Sequence, residues 1–292
     1  MTATGDAFVP LPGDFDSRWA LTFLGARSVA PVERVEGDRY ERVVRLGGRP
    51  RTLSFGFERP RGRVRRVRVR SSAAVPPPRL RALAVRLFDL ETDLRPFRRL
   101  ARRDRVLRRL VSPRRTLRVV QFLDPYEALV RAILGQQISV AGARTLAGRL
   151  VRLATRGTHF PTAAEMAALG ERRLRSIGLT RARARCLFEV AREVSDGAVR
   201  WDALRTQPTE EAEQALRALP GVGPWTASYV LMRGLGHRDA FPAGDLGVRK
   251  ALEAAFGPRL PLARAMRLAE GWRPFRAYAT LHLWDSLSRA DA

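Results

Sequence analysis

The 292-residue chain carries 54 basic and 29 acidic residues, a net charge of +25 and a pI near 11.7, a balance that suits a polyanionic partner. Lys250 is the only lysine; the arginine bias itself reflects a GC-rich genome, so the charge excess carries more functional weight than the choice of basic residue. The lone Cys186 excludes an intrachain disulfide and a four-cysteine iron–sulfur cluster, and no apolar run reaches the ~18 residues of a membrane span.

In chain order, residues 16–30 read as a helix, and three stretches read as strands: 39–46, 52–57 and 63–70. Tyr40, Val43 or Val44, and Leu46 stand among charges, Gly47-Gly48 follow as a turn, and Val64, Val67 and Val69 alternate with arginines as in a half-buried strand. Residues 71–78, with three consecutive prolines, mark a linker or a helix entry. Residues 1–75 therefore form a β-rich N-terminal domain, and residues 76–292 an almost entirely helical one. Apolar spacing of three and four places helices over 80–90, 126–134, 140–153, 163–169, 181–194, 212–219, 225–235 and 248–256, with Ser139 and Thr162 as caps. The arginine clusters at 61–70 and 98–109 read as solvated faces, and His282, in an apolar segment, as a hydrogen-bonded core residue. His159, His237 and His282 share no metal-ligand spacing.

Two short stretches carry the chemistry. Leu219-Pro220-Gly221-Val222-Gly223-Pro224-Trp225 lies between two helices. Its glycines let the turn present N–H groups at the start of the second helix, where the dipole favours an anion such as phosphate. Pro224 suits the first helical turn, where its missing N–H would have had no partner. Asp245 stands in a Pro/Gly-rich break, Phe241-Pro242-Ala243-Gly244, before the next helix. Taken alone, the first stretch is a tight turn between packed helices and Asp245 a helix cap.

Together the two stretches, with Asp245 twenty positions past Trp225, resemble the helix-hairpin-helix and catalytic-aspartate signature of the base-excision DNA glycosylase superfamily. Within it the chain is most similar to the bacterial 3-methyladenine DNA glycosylase II family, the alkylpurine glycosylases. Arg131-Ala132-Ile133-Leu134-Gly135-Gln136-Gln137-Ile138-Ser139, Ile177-Gly178-Leu179 and Tyr278-Ala279-Thr280-Leu281-His282-Leu283-Trp284 agree, collinear over residues 11–288. Residues 174–184 echo the hairpin and read as a degenerate copy of it.

The resemblance implies an α+β fold, a curved antiparallel sheet beside two all-α domains with a cleft between them. The hairpin core spans about 120–245, and residues 76–119 and 246–292 complete the second helical domain. It implies cleavage of the N-glycosidic bond of alkylated purines of the 3-methyladenine and 7-methylguanine type, in damaged double-stranded DNA. Asp245 is the implied catalytic carboxylate, stabilising positive charge at C1′ or orienting water. Trp225, Tyr229, Trp284 and Phe23 are the implied pocket for an extruded base, although aromatics at helical spacing are otherwise usually core. Leu246 and Asp285 depart from a better-known relative, which has tyrosines there, so a less aromatic and more acidic pocket is expected. Gln136 and Gln137 fall on the loop that fills the vacated space; that relative has leucine at Gln137, whose other reading is a polar loop residue. Backbone N–H groups of Gly221, Gly223 and Thr226 would take phosphate, and carbonyls of Arg217, Leu219 and Val222 a sodium or potassium ion. No other cofactor is expected. Tryptophan at position 225, where bifunctional relatives have lysine, implies single-function hydrolysis; Lys250 lies five residues past Asp245, off its helical face. Glycosylases for deaminated or ethenylated bases, and a non-catalytic damage-binding protein, are the alternatives. A cytoplasmic, nucleoid-associated monomer is expected.

Overall fold

The computed structural model describes residues 5–59, 62, 64–111, 117–258 and 260–290. Met1–Thr4, Arg61, Arg63 and the segment 112–116 lie outside the described residues, so part of the first arginine cluster and the first position of the expected 63–70 strand do too.

The N-terminal part is a five-stranded antiparallel sheet of β1 (Gly5–Pro10), β2 (Glu33–Glu36), β3 (Arg39–Leu46), β4 (Arg49–Glu58) and β5 (Arg66–Ser71), in the order β1-β5-β4-β3-β2. Strand parity decides which side chains face inward. In β3 these are Tyr40, Arg42 and Val44, so Val44 is the buried valine of the pair and an arginine is buried with it. Gly47 and Gly48, both at positive φ (59° and 76°), make the two-residue turn between β3 and β4 that glycine alone enters without strain. The inner face, with Leu53, Phe55, Phe57, Val67 and Val69, packs on α1 (Ser17–Gly25) and α2 (Pro77–Phe88). Phe88 sets its ring edgewise to Phe55 and Phe57 at 5.7 and 5.2 Å. The proline run is a helix entry: α2 starts at Pro77, where a missing N–H costs no helical bond.

Two of these strands were not expected from the sequence. β1 pairs with β5, and β2 is four residues long with the carboxylate Glu33 as its buried inward side chain. The first helix is shorter than expected, ending at Gly25, with Asp16 capping it through Trp19 N–H at 2.8 Å.

The rest of the chain is helical: α3 (Arg95–Arg103), α4 (Arg105–Val111), α5 (Pro125–Gly135), α6 (Val140–Thr155), α7 (Ala163–Arg175), α8 (Arg181–Ser195), α9 (Trp201–Thr206), α10 (Thr209–Arg217), α11 (Pro224–Val230), α12 (Leu246–Phe256), α13 (Leu262–Glu270) and α14 (Arg276–Ala290). A five-residue π turn, Leu231–Leu235, continues α11. Helix α7 bends at Gly170 (φ 73°), at the end of the stretch whose apolar spacing marked it. Between α7 and α8 the chain turns at Gly178 (φ 101°), with Thr180 capping α8, which gives the degenerate hairpin its helix-turn-helix form. Helix α5 is central, with nine of its residues buried, from Pro125 to Leu134. The π turn packs so tightly on α5 that a Cβ at Gly234 would stand 2.9 Å from that of Ala128. His282 is fully buried and stacks on Phe97 at 5.6 Å, a core residue. Among the described residues, no helix is long and apolar enough to cross a membrane.

Trp19 and Trp284 pack against both hydrophobic cores, that of the sheet and that of the helices. The seam they mark holds the candidate site.

Candidate active site

A cleft of about 660 Å³ opens along this seam, lined by the start of the chain (Trp19, Phe23, Arg27), the end of α5 and the loop after it (Gly135, Ile138), and Trp225, Tyr229, Asp245 and Trp284. Asp245 sits where three elements meet. As N-cap of α12 its Oδ1 accepts the Val248 N–H at 3.0 Å. The same Oδ1 accepts Trp284 Nε1 at 2.9 Å, and Oδ2 accepts Trp225 Nε1 at 2.9 Å. Cap and site residue are therefore one side chain, with two indoles fixing its plane. Gly247 makes this possible, because a Cβ there would stand 3.0 Å from Oδ1 and 3.1 Å from the Trp284 ring.

Trp225 and Tyr229, one helical turn apart, stack at 5.5 Å with planes 28° apart, and Tyr229 tilts against Trp284 at 6.4 Å. Phe23 enters from α1 and stacks on Trp19 at 5.0 Å. All four aromatics expected at a pocket thus line one cleft. Leu246 lines it too, 64% exposed at the lip, where Ile138 and Val140 are also exposed. Asp285 is buried and accepts Trp19 Nε1 at 3.1 Å, so part of the expected acidity is turned onto an indole.

Five-residue spacing does not keep Lys250 apart from Asp245, contrary to the expectation from helical faces. Both residues line the same cleft, with Lys250 exposed at its edge. One helical turn and its cap bring residues five apart to the same opening, although they do not share a stripe.

The two glutamines separate. Gln136 turns inward to the hairpin, donating from Nε2 to Thr226 Oγ1 at 3.1 Å and Gly221 O at 3.5 Å, while its carbonyl accepts Arg183 Nη2 at 2.7 Å. Gln137 is exposed and left-handed at φ 58°, a conformation that costs a non-glycine residue roughly 1–2 kcal/mol. Held strain at an exposed loop tip between a braced neighbour and the cleft marks Gln137 as the projecting residue of the pair.

In the hairpin the two glycines differ. Gly221 is left-handed (φ 70°), and a Cβ there would lie 2.5 Å from Cys186 Sγ, which donates to Pro220 O at 3.3 Å. Burial pushes the Cys186 thiol up to about 11, which leaves it an inert packing group. Gly223 has an ordinary φ of −83° and nothing within 4 Å of where a Cβ would be, so its conformational freedom is not used; what it leaves is open space. Among the described residues, the N–H groups of Gly221, Gly223 and Thr226 donate no hydrogen bond, and the carbonyls of Arg217 and Val222 accept none. Leu219 O accepts Val222 N–H, at 3.2 Å.

Sequence reasoning passed over Trp19, Gly247 and two arginines. Arg27 lies half-buried in the cleft, its guanidinium 3.8 Å from the Phe23 ring centroid. Arg233, in the π turn, is buried behind the cleft at 4.7 Å from Phe23 and donates to Tyr229 Oη at 3.2 Å and to the Val120 carbonyl. Trp19, Phe23 and Arg27 follow at four-residue steps, a spacing in the sequence that could have pointed to one shared face.

A basic chain with a backbone-lined hairpin and a cleft in which indoles hold a carboxylate defines a helix-hairpin-helix protein of the DNA-repair type. Residues 130–274 match the family model described as the HhH-GPD superfamily base excision DNA repair protein, and residues 10–124 the AlkA N-terminal domain. The chain belongs to the HhH-GPD superfamily of base excision DNA repair proteins. It is 32% identical to DNA-3-methyladenine glycosylase 2 of Escherichia coli over 92% of this chain and 93% of that one. It is 37% identical to the probable bifunctional transcriptional activator/DNA repair enzyme AlkA of Mycobacterium tuberculosis over 69% of this chain, but spans only 41% of that longer relative. Its fold is that of the 3-methyladenine DNA-glycosylase of Archaeoglobus fulgidus, with a TM-score of 0.81 and 24% identity over 95% of this chain and 97% of that one.

Proposed function

We propose that the chain is a single-function DNA glycosylase that hydrolyses the N-glycosidic bond of alkylated purines in double-stranded DNA, as a cytoplasmic, nucleoid-associated monomer in base excision repair. The observation that carries this reading is the Asp245 carboxylate, fixed by two indole N–H groups at the floor of an aromatic cleft. Breaking the bond builds positive charge on the sugar, and a preoriented carboxylate beside C1′ stabilises it and directs water. An extruded base enters between Trp225, Tyr229 and Trp284, whose π faces favour a cationic ring by about 0.5–2 kcal/mol per contact. Gln137 takes the vacated place in the stack, hydrogen-bonding the orphaned base, with the exposed Ile138 beside it.

The free N–H groups of Gly221, Gly223 and Thr226 take a backbone phosphate. Carbonyls of Arg217, Leu219 and Val222 would hold a sodium or potassium ion between turn and phosphate; among the described residues those of Arg217 and Val222 accept no hydrogen bond, which suits such an ion.

The test is incubation with alkylated duplex DNA, with chromatography of the released bases and gel analysis of the strand. Free 3-methyladenine and 7-methylguanine should appear, and the abasic strand should break only after alkali or heat. Borohydride should trap no adduct, since tryptophan occupies the Schiff-base position. Binding without base release would make the chain a damage-binding protein. An adduct lost on Lys250→Arg would overturn single-function hydrolysis.

A further inference from the structure

Arg27 is an expensive residue for this cleft. A pocket for cationic bases gains from electron-rich faces, yet the Phe23 ring already carries the Arg27 guanidinium at 3.8 Å and that of Arg233 at 4.7 Å. Arg233 also lies 5.7 Å from the Tyr229 centroid. Two fixed positive charges against these rings, one in the cleft and one behind it, oppose a third, the charge of an alkylated purine.

The position of Arg27 is enforced. It lies just past α1, and its carbonyl accepts Arg131 Nη1 at 3.0 Å. Its own Nη1 donates to Phe23 O at 3.2 Å, and among the described residues the remaining N–H groups of the guanidinium donate no hydrogen bond. Burial and the neighbouring Arg233 bring the group down to about 10, which leaves it cationic at neutral pH. It is therefore a charged donor with unused N–H groups in the cleft that holds Asp245.

Resting on the glycosylase reading, we infer that Arg27 stabilises the departing base of neutral purine lesions and so sets the enzyme's selectivity between neutral and cationic ones. The chemistry divides the substrates. When the C1′–N9 bond of a neutral purine such as hypoxanthine breaks, its electron pair leaves with the base as an anion spread over the ring nitrogens and the carbonyl oxygen. A water oxygen bonds C1′, and the water's proton ends on the base, giving neutral base and abasic sugar. An N7-methylated guanine is cationic before cleavage, and the same electron pair leaves it neutral. A guanidinium donor gains strength as the first reaction proceeds and has no developing charge to meet in the second. Asp245 answers the charge on the sugar in both, and Arg27 the charge on the base in one.

The experiment measures single-turnover release of hypoxanthine and of 7-methylguanine from otherwise identical duplexes, by wild type, Arg27→Gln and Arg27→Lys. With Arg27→Gln the ratio of the two rate constants should shift by roughly 10- to 100-fold toward 7-methylguanine, the worth of one hydrogen bond to a charged group. Arg27→Lys, which keeps the charge, should move the ratio back toward that of wild type. General damage to the fold lowers both rates and leaves the ratio in place. A ratio that stays within about threefold of wild type in Arg27→Gln, too small for a lost charged contact, overturns the role of Arg27. So does a wild type that releases 7-methylguanine and no hypoxanthine. A wild type that releases neither overturns the glycosylase reading itself, a separate result.

Discussion

Asp245 uses both carboxylate oxygens, and this shapes what its replacement does. Oδ1 serves the cap and Trp284, while Oδ2 serves Trp225. In Asp245→Asn the amide keeps an oxygen for the α12 cap but turns an NH2 toward the Trp225 N–H, donor against donor. Charge and one hydrogen bond are lost together. Base release should fall by at least ~100-fold, as when one electrostatic contact to a transition state is removed. Duplex binding, carried by the hairpin, should stay within about threefold, less than one neutral hydrogen bond is worth. Comparable turnover by this variant at neutral pH would sink the assignment. The residues around Asp245 were unequally legible. Trp225 and Tyr229 announce themselves by four-residue spacing beside a motif. The Trp19–Asp285 contact joins positions 266 apart, which no local pattern encodes. Gly247 matters because the Asp245 carboxylate and the Trp284 ring close over it, and Arg233 reads as an ordinary basic residue until the fold buries it behind Phe23.

At the scale of elements, the hairpin shows why two glycines in one turn need separate accounts. Gly221 serves the fold, since its left-handed φ and the Cys186 sulfur leave no room for a side chain. Gly223 serves what approaches from outside, since a side chain there meets nothing within 4 Å. Gly223→Val should therefore fold with near wild-type stability and weaken binding to damaged and undamaged duplexes alike, by roughly tenfold for one lost phosphate contact. Fluorescence anisotropy on both duplexes checks this, and a defect confined to damaged DNA would contradict phosphate binding at the turn. The helices were readable because long stretches keep one apolar stripe in register. Strands β1 and β2 were not. The first turns only Gly5, Ala7 and Val9 inward and gains its place by pairing with β5, and the second buries Glu33 where alternation looks for an apolar residue.

That buried glutamate joins the two halves of the molecule. Glu33 on β2 accepts Tyr40 Oη at 2.6 Å and Val29 N–H at 2.9 Å, and pairs with Arg131 of α5 and, at 3.5 Å, with Arg42 of β3. Arg42 and Arg131 in turn pair with Glu127 of α5, the latter at 2.8 Å. Two carboxylates balance two guanidiniums between sheet and helices, and Arg131 carries the joint to the backbone of Arg27. Burial alone would raise the Glu33 carboxyl, but Arg131 and Arg42 outweigh it and hold the group well below the usual carboxylate range. The unfolded chain, with an ordinary glutamate near ~4.3, therefore takes up this proton first as pH falls. The stability Glu33 contributes is complete above about pH 5 and is lost progressively toward about pH 2. Glu33→Gln leaves an uncompensated positive charge in the joint and should cost about 3–5 kcal/mol at pH 7, a large part of the ~5–15 kcal/mol of a typical domain. It should also remove a titrating group, so the variant's stability should fall less steeply with acid than that of wild type. Denaturant unfolding of both proteins from pH 7 down to the lowest pH at which they stay folded measures this. Parallel curves, displaced but equal in slope, would show that Glu33 does not carry the charge the joint requires.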